Sequence, residues 1–304
     1  MTVNEYLKAV LKSQTIASES AEYKELTAKA DEVKGILKKA FEGAAFTTKY
    51  GGSRAKHTMI RESYDLDIVC YFERDENQAG ETLAEIYESV KVALSEHYYV
   101  DPKTSALRLE EGNQHVIYTH VDVVPGRFID ETKTDTYLYQ NGSDKQRLKT
   151  NTKVHVECIR DSGVTDTIKL LKLWREKWLR DVHVKTFVLE LLAVKVLTDH
   201  KTECLENQLV KFWETLRDEK TLCVVDPANS NNDLSEALNS IKSTLQYSAD
   251  NTLRTIDVYG RETVTGWENV FGKLDETPSD AQKAALINSI PNVVTQGTKP
   301  WSFD

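Results

Sequence analysis

The sequence predicts an α+β fold in which a mixed sheet fills the first half of the chain and a helical lobe the second. Short apolar runs rich in β-branched residues, separated by turn residues, predict strands between residues 65 and 124. From about residue 164 onwards, apolar residues recur at helical spacing almost to the end of the chain. Each layer has an apolar face to bury, so we expect the sheet and the lobe to pack together with a ligand cleft between them.

The first 45 residues are predicted to be helical. Apolar residues recur at helical spacing in 6–11 and 26–41, and a segment rich in Ser and Glu at 18–22 separates the two helices. The second helix is expected to pack as a long spine across the back of the sheet. We therefore divide the chain into N-terminal helices at 1–45, a core with the candidate catalytic residues at 46–160, and a helical lobe at 161–304. These parts are expected to form one cooperative, two-lobed unit.

A turn and the strand that follows it carry the first candidate site. The turn Gly51-Gly52-Ser53 can bring backbone N–H groups close to an anion, and the Ser53 hydroxyl adds one more donor. Twelve residues after Ser53, Asp65 and Asp67 stand at the head of an apolar strand that ends at Phe72. Because side chains alternate along a strand, the two carboxylates share one face, about 7 Å apart. The stretch predicts a phosphate cradle, including Gly52, beside a site for a hard cation.

A third carboxylate, Asp122, lies in a later apolar run. Leu107–Glu110 and His115–Val124 are predicted as paired strands joined by a turn at 111–113, the second strand ending at Pro125-Gly126. An unpaired charge inside such a strand is costly unless a cation or another partner offsets it. With Asp65 and Asp67, Asp122 predicts a site for two Mg²⁺ ions, or Mn²⁺, that promotes attack of a hydroxyl on a phosphoryl group.

Two later stretches, Thr165–Arg180 and Lys185–His200, are apolar nearly all round and are predicted to be buried helices. Lys172 lies on the same helical stripe as Ile168 and Leu179, which is an unfavourable place for an ammonium group without an anion. The segment 129–153, between the predicted strands and these helices, is polar and is expected to be rich in turns.

The charge and composition exclude several classes of function. The net charge of −9 makes the chain a poor general binder of long nucleic acid, so no DNA template is expected. No run of apolar residues is long enough to span a membrane, and the first residues do not resemble a secretory signal, so the expected location is cytoplasmic. The cysteines lack zinc-binding spacing and are expected to be reduced and mostly in the core.

The ordered motifs resemble those of the DNA polymerase β-like nucleotidyltransferase superfamily, and in particular the cGAS/DncV-like nucleotidyltransferases (CD-NTases) of bacterial anti-phage signalling. Besides the Gly-Ser turn and the Asp-x-Asp strand, three later segments carry the resemblance. Residues 168–174 (IKLLKLW) are similar to the family's RLLKxW helix, and residues 185–190 (KTFVLE) to its SYxLE helix start. The pairs Asp226-Pro227 and Asn231-Asn232 resemble the DPxxPxNN loop that the family shares with oligoadenylate synthases.

This resemblance implies roles for three further residues. It places Lys172 on the triphosphate of a bound nucleotide, adds the Thr186 hydroxyl to the same phosphates, and gives Phe187 a ring face on which the base stacks. Glu190 is expected to form a structural ion pair rather than to act as a base. One departure concerns His57, because the family usually has glycine at this position.

The predicted activity is a Mg²⁺-dependent synthesis of a cyclic di- or trinucleotide second messenger from ATP and other nucleoside triphosphates, with release of pyrophosphate. The resemblance implies that a separate effector protein senses the product in anti-phage (CBASS) defence. Two alternatives remain: a linear oligonucleotide or nucleotidylated acceptor as product, and a nucleotide-binding pseudoenzyme. The sequence does not specify the bases, the linkage, the ring size, the activating signal or the oligomeric state.

Overall fold

The protein is described by a computed structural model that places residues 1–63, 65–110, 121–180, 182 and 184–274. The predicted α+β class is confirmed: a mixed sheet is followed in the chain by a mainly helical second half. The helices are α1 Val3–Gln14, α2 Ala21–Ala40, α3 Gly52–Lys56, α4 Leu83–Ser95, α5 Thr152–Arg160, α6 Thr165–Trp178, α7 Thr186–Leu197, α8 Leu205–Asp218, α9 Ser235–Asn239, α10 Lys242–Tyr259 and α11 Val264–Phe271.

The main sheet has seven strands within the described residues, and a separate hairpin lies in the second half. The strands are β1 Phe46–Tyr50, β2 Leu66–Phe72, β3 Tyr99–Pro102, β4 Leu107–Glu110, β5 Val121–Phe128, β6 Thr136–Tyr139, β7 Arg147–Thr150, β8 Val225–Asp226 and β9 Asn229–Asp233. The main sheet runs in the order β1-β2-β5-β4-β3, with β6 on β5 and β7 on β6. Only β2 and β5 pair in parallel among the described strand pairs.

The alternation predicted for β2 is present. Leu66, Ile68, Cys70 and Phe72 are fully buried in the core that α2 and α4 form against the sheet. The opposite face carries Asp67, followed by Val69 and Tyr71 in a smaller apolar cluster. This second face therefore has its acidic group at the start of the strand and apolar side chains further along.

The expected end of β5 at Pro125-Gly126 is wrong, because the strand continues to Phe128. On one side, β5 pairs with β4 through Val123 and with β6 from Gly126 onwards. Pro125 lies at the change of partner, where its missing N–H removes no bond to either strand. The turn predicted at 111–113 and the first residues of the predicted second strand lie outside the described residues.

Residues 129–153 contain more regular structure than the sequence predicts. They form the β6–β7 hairpin around the expected loop at 141–144, and α5 begins at Thr152. Each of these strands is only four residues long, so its alternation is too short to stand out in the sequence. The β8–β9 hairpin in the second half was also not predicted, because its strands are short and their sequence shows no clear alternation.

The two N-terminal helices belong to different cores. Tyr6 and Leu7 of α1 are fully buried among residues of the helical lobe, whereas Ala30 and Val33 of α2 lie in the core of the sheet. The first helix thus packs beside helices that follow it by more than 150 residues in the sequence. This packing ties the N-terminus to the lobe and leaves α2 as the helix behind the sheet.

Within the described part of the chain, no helix is long and apolar enough to cross a membrane. The cysteine expectation holds only in part. All four thiols are free, but only Cys70 is buried, while Cys204 and Cys223 are exposed.

Candidate active site

The pairing of β2 with β5 brings two of the predicted carboxylates side by side. Asp67 and Asp122 are direct neighbours in the parallel register, and Asp65 stands one residue before the start of β2. Each of the three side chains is half-buried. The structure therefore assembles one acidic cluster (Asp65, Asp67 and Asp122) from residues up to 57 positions apart in the chain.

The glycine turn lies directly against this cluster. Because β1 is antiparallel to β2, its end at Tyr50 returns to the start of β2, and the Gly51 N–H donates to the Asp67 carbonyl at 2.9 Å. Gly52 has a φ of +51°, and a Cβ at this position would lie 1.5 Å from Asp67 Oδ2. Only glycine combines this backbone conformation with such a close approach to the carboxylate. Ser53, which is predicted to donate a hydrogen bond to phosphate, is the next residue of α3.

The electrostatics of the cluster are dominated by Asp67. Burial, followed by the charges of Asp122 and Asp65, raises the pKa of Asp67 to about 7. Lys56 and Lys172 lower it, so both ammonium groups lie close enough to act on this carboxylate. Because the neighbouring acids raise this pKa, an additional positive charge beside Asp67 is favourable.

Arg108 is a member of the site that the sequence reading missed. It lies opposite Asp122 in the antiparallel β4–β5 pair, and its guanidinium binds both carboxylate oxygens. Arg108 Nε donates to Asp122 Oδ1 at 2.9 Å, and Nη2 donates to Oδ2 at 2.8 Å. This bidentate bond to Asp122 raises the pKa of Arg108 above its ordinary value. The only sign of this residue in the sequence was an arginine among the alternating residues of Leu107–Glu110. Its partner could not be predicted, because that depends on the register in which β4 pairs with β5.

The donor chemistry of the acidic cluster fits Mg²⁺ or Mn²⁺. Carboxylate oxygens are the ligands that these cations prefer, and the two neighbouring acids that raise the pKa of Asp67 would be neutralised by a divalent ion. Within the described residues, however, no three acidic, His or Cys side chains already have the arrangement of a metal site. In this arrangement both oxygens of Asp122 accept bonds from Arg108.

Lys172 reaches the turn from the opposite lobe. Its side chain extends from α6 and is buried, and Nζ donates to the Thr58 carbonyl at 2.8 Å. Burial lowers the pKa of Lys172 to about 8, against the opposing influence of Glu190. The lysine predicted to bind phosphate therefore lies at the boundary between the helical lobe and the segment after α3.

A second lysine, Lys56 at the end of α3, also belongs to this boundary. It forms a buried ion pair with Glu190 of α7, which also accepts a bond from Thr58 Oγ1 at 2.7 Å. Glu190 thus has the structural ion pair expected of it. The sequence reading missed Lys56, although its position three residues after Ser53 was a signal that a cation stands next to the turn.

The start of α7 carries the other two predicted nucleotide contacts. The Thr186 hydroxyl accepts a bond from the guanidinium of Arg175, which lies one turn after Lys172 on α6. The half-buried ring of Phe187 lies 4.7 Å from the ring of His155, between centroids, and 5.2 Å from Lys56 Nζ. The Phe187 ring, on which the nucleotide base is predicted to stack, therefore has one aromatic and one cationic neighbour.

The Asp226 loop is connected to the same region through His155. Asp226 is only 3% exposed, and its Oδ1 lies 2.6 Å from His155 Nε2. Asn232 Nδ2 donates to the other carboxylate oxygen at 2.9 Å, and the Ala228 N–H donates to Oδ1 at 2.8 Å. These bonds fix the hairpin β8–β9 to α5, and His155 extends the connection to the Phe187 ring.

The backbone conformation at His57 is one that favours glycine. It ends α3 in the left-handed conformation, with φ 61° and ψ 29°. A side chain in this region costs about 1–2 kcal/mol, which glycine avoids. The imidazole is exposed, so the departure from the family pattern retains the turn and places a polar group on the surface.

Solved structures of CD-NTases have a fold similar to that of this chain. The chain superposes on CdnC of E. coli with ATP at a TM-score of 0.67 and 18% identity, covering 90% of this chain and 98% of that one. CdnG of Bradyrhizobium diazoefficiens in complex with GTP gives 0.67 and 12%, covering 89% and 95%. The DncV cyclic AMP-GMP synthase of Vibrio cholerae gives 0.59 and 17%, covering 89% and 84%. These similarities confirm the resemblance to the CD-NTases at the level of the fold.

No protein-family model matches the sequence, and no curated protein sequence matches it.

Proposed function

We propose that the chain is a Mg²⁺-dependent nucleotidyltransferase of the CD-NTase family that joins nucleoside triphosphates into a cyclic di- or trinucleotide. The observation that carries the proposal is the parallel register of Asp67 and Asp122 beside the Gly52 turn. This arrangement puts the acidic ligands directly against the glycine turn to which we assign the donor phosphates. The CD-NTase fold, with neighbours solved with ATP or GTP, supports the choice of nucleotides as substrates.

In this proposal, Asp65, Asp67 and Asp122 hold the cations. Bound Mg²⁺ would neutralise charge on the transferring phosphoryl group and lower the pKa of the attacking hydroxyl. The chain itself orients the two reactants. Asp122, which lies between Asp67 and Arg108, would position the ribose hydroxyl of the acceptor, while Ser53 would bind the donor phosphates.

The opposite lobe supplies the remaining contacts to the donor. Lys172 and Lys56 place positive charge near the acidic cluster, where a triphosphate carries several negative charges. Thr186 would add a hydroxyl to the phosphates and Phe187 a ring face to the base. Each of the last two already has a neighbour, Arg175 and His155 respectively, so a nucleotide would bind beside them or displace them.

The biological setting follows from the same proposal. A cyclic nucleotide acts only through a protein that senses it, so the expected partner is a separate effector. Anti-phage defence in the cytoplasm is the setting that the family resemblance implies.

The proposal is tested by incubating the protein with radiolabelled ATP, GTP, CTP and UTP, singly and mixed, in the presence of Mg²⁺ or Mn²⁺. A cyclic product has no terminal phosphate and is expected to resist phosphatase, and mass spectrometry then gives its composition. A phosphatase-sensitive product would identify a linear oligonucleotide instead. Intact triphosphates under every condition would indicate a pseudoenzyme and would refute the activity.

A further inference from the structure

Asp122 lies in a row of three charged residues on adjacent strands. The parallel register puts Asp67 on one side of it, and the antiparallel register puts Arg108 on the other. Partners in register project from the same face of a sheet. Asp122 is therefore the carboxylate that stands between the acidic cluster and a fixed cation.

The pair has the geometry of a strong interaction. Both oxygens of Asp122 accept bonds, at 2.9 and 2.8 Å, and the side chains of Arg108 and Asp122 are only 27% and 13% exposed. Charge-assisted, bidentate bonds that are shielded from water are much stronger than surface ion pairs. Other cations at the site have different partners, since Lys56 binds Glu190 and Lys172 binds the Thr58 carbonyl.

We propose that Arg108 is a resident counter-cation for Asp122, with which a divalent metal ion must compete for the third carboxylate. The inference rests on the proposed function only in taking the acidic cluster as the metal site. Arg108 is then a positioning residue: it neutralises and orients Asp122 without metal, and it yields at least part of its bidentate bond when metal binds. The metal affinity of the protein is set partly by this exchange.

The same feature makes a prediction about stability. When Arg108 is replaced, Asp122 faces Asp67 and Asp65 without its counter-cation, so the metal-free fold is destabilised. A divalent ion then recovers more stability in the variant than in the wild type, because binding to the folded state stabilises it by mass action. A cross-strand pair with a purely structural role would lower the melting temperature by an amount that metal does not restore.

The first test measures binding of Mn²⁺ alone by the loss of its free EPR signal, at fixed pH and ionic strength. Arg108→Met is expected to bind Mn²⁺ about tenfold more tightly than the wild type, since a positive charge a few ångströms from the ion is removed. Arg108→Lys keeps the charge but cannot make the bidentate bond, so its Mn²⁺ affinity should lie between those of the wild type and Arg108→Met. The matched control is Arg147→Met on β7 of the same sheet, where the guanidinium stacks on Tyr137. Its affinity should equal that of the wild type.

A second measurement follows the exchange itself in the wild type. The ¹⁵N resonance of Arg108 Nε–H, assigned by its absence from Arg108→Lys, should shift or broaden as Mg²⁺ is added, while that of Arg147 stays in place. Equal or weaker Mn²⁺ affinity in Arg108→Met, or an unchanged Arg108 resonance at saturating Mg²⁺, would overturn the inference. Either result leaves the proposed function intact if labelled triphosphates are consumed. Failure to consume them would refute the function but not the metal exchange.

Discussion

Gly52 is the residue at which the backbone and the chemistry of the site constrain each other most closely. Its φ is positive, and a methyl carbon added here would lie 1.5 Å from Asp67 Oδ2, which leaves no room for a side chain. The position therefore matters for the acidic cluster as well as for the turn.

We predict that Gly52→Ala loses stability and most of the activity, because the methyl group must displace the Asp67 carboxylate. The backbone strain alone costs about 1–2 kcal/mol. Gly142→Ala is the matched control, since Gly142 has a φ of +69° but nothing within 4 Å of the added carbon. Chemical denaturation should show a loss in both variants, and nucleotide turnover a loss only in Gly52→Ala. Equal activity in the two variants would contradict this account.

At the residue scale, the sequence was informative where a pattern repeats and silent where a partner comes from elsewhere. The two-residue period predicted that Asp65 and Asp67 share a face of β2. Nothing local could predict that Arg108 faces Asp122, because this pairing depends on the register between two strands. His57 stood out as a departure from glycine, and its left-handed backbone supplies the reason.

At the scale of elements, three helices from two parts of the chain meet at one buried polar cluster (Lys56, Thr58, Lys172 and Glu190). Lys56 and Glu190 join α3 to α7, and Lys172 joins α6 to the Thr58 carbonyl. These bonds couple the turn beside the acidic cluster to the helical lobe. Substitution within this cluster is therefore expected to affect both the stability and the site.

The pH dependence of Lys172 tests whether its ammonium is buried at this junction. Its pKa is lowered from 10.5 to about 8, so between these values the unfolded chain holds a proton that the folded chain has released. The free energy of unfolding therefore gains a favourable contribution as pH rises through this window, whereas below it the full cost of burying the charge remains. We predict that the wild type becomes more stable relative to Lys172→Met between pH 8 and pH 10.

Urea denaturation across this pH range measures the difference. Lys169→Met, on the same helix, is the reference for removing a lysine that pairs with an exposed aspartate, Asp166. A stability difference between the wild type and Lys172→Met that does not change with pH would show that the lysine is not held as a buried ammonium.

Elements were predicted well where they are long and strongly periodic. The buried helices α6 and α7, the spine helix α2 and the strand β2 all follow apolar patterns of several turns or pleats. The short hairpin β6–β7 was missed, because strands of only four residues give no clear alternation. The extension of β5 beyond Pro125 was missed because a proline is tolerated where a strand changes partner.

At the scale of the whole molecule, the acidic cluster lies on the sheet while Lys172, Thr186 and Phe187 come from the lobe. The sequence predicted this division from fold class and motif order. It could not predict that α1 packs into the core of the lobe, because amphipathic helices do not specify which apolar surface they cover. The N-terminus and the lobe therefore form one packed body beside the sheet.

The central claim, that the acidic cluster performs nucleotidyl transfer, is tested most directly by turnover of labelled nucleoside triphosphates in Asp67→Asn. This change removes the charge and keeps nearly the same volume. The matched control is Asp144→Asn, an exposed aspartate in the β6–β7 loop. We predict that Asp67→Asn loses at least about a thousandfold in rate, as expected when a ligand that neutralises the transition state is lost. Asp144→Asn should match the wild type. Wild-type turnover in a folded Asp67→Asn protein would contradict the account.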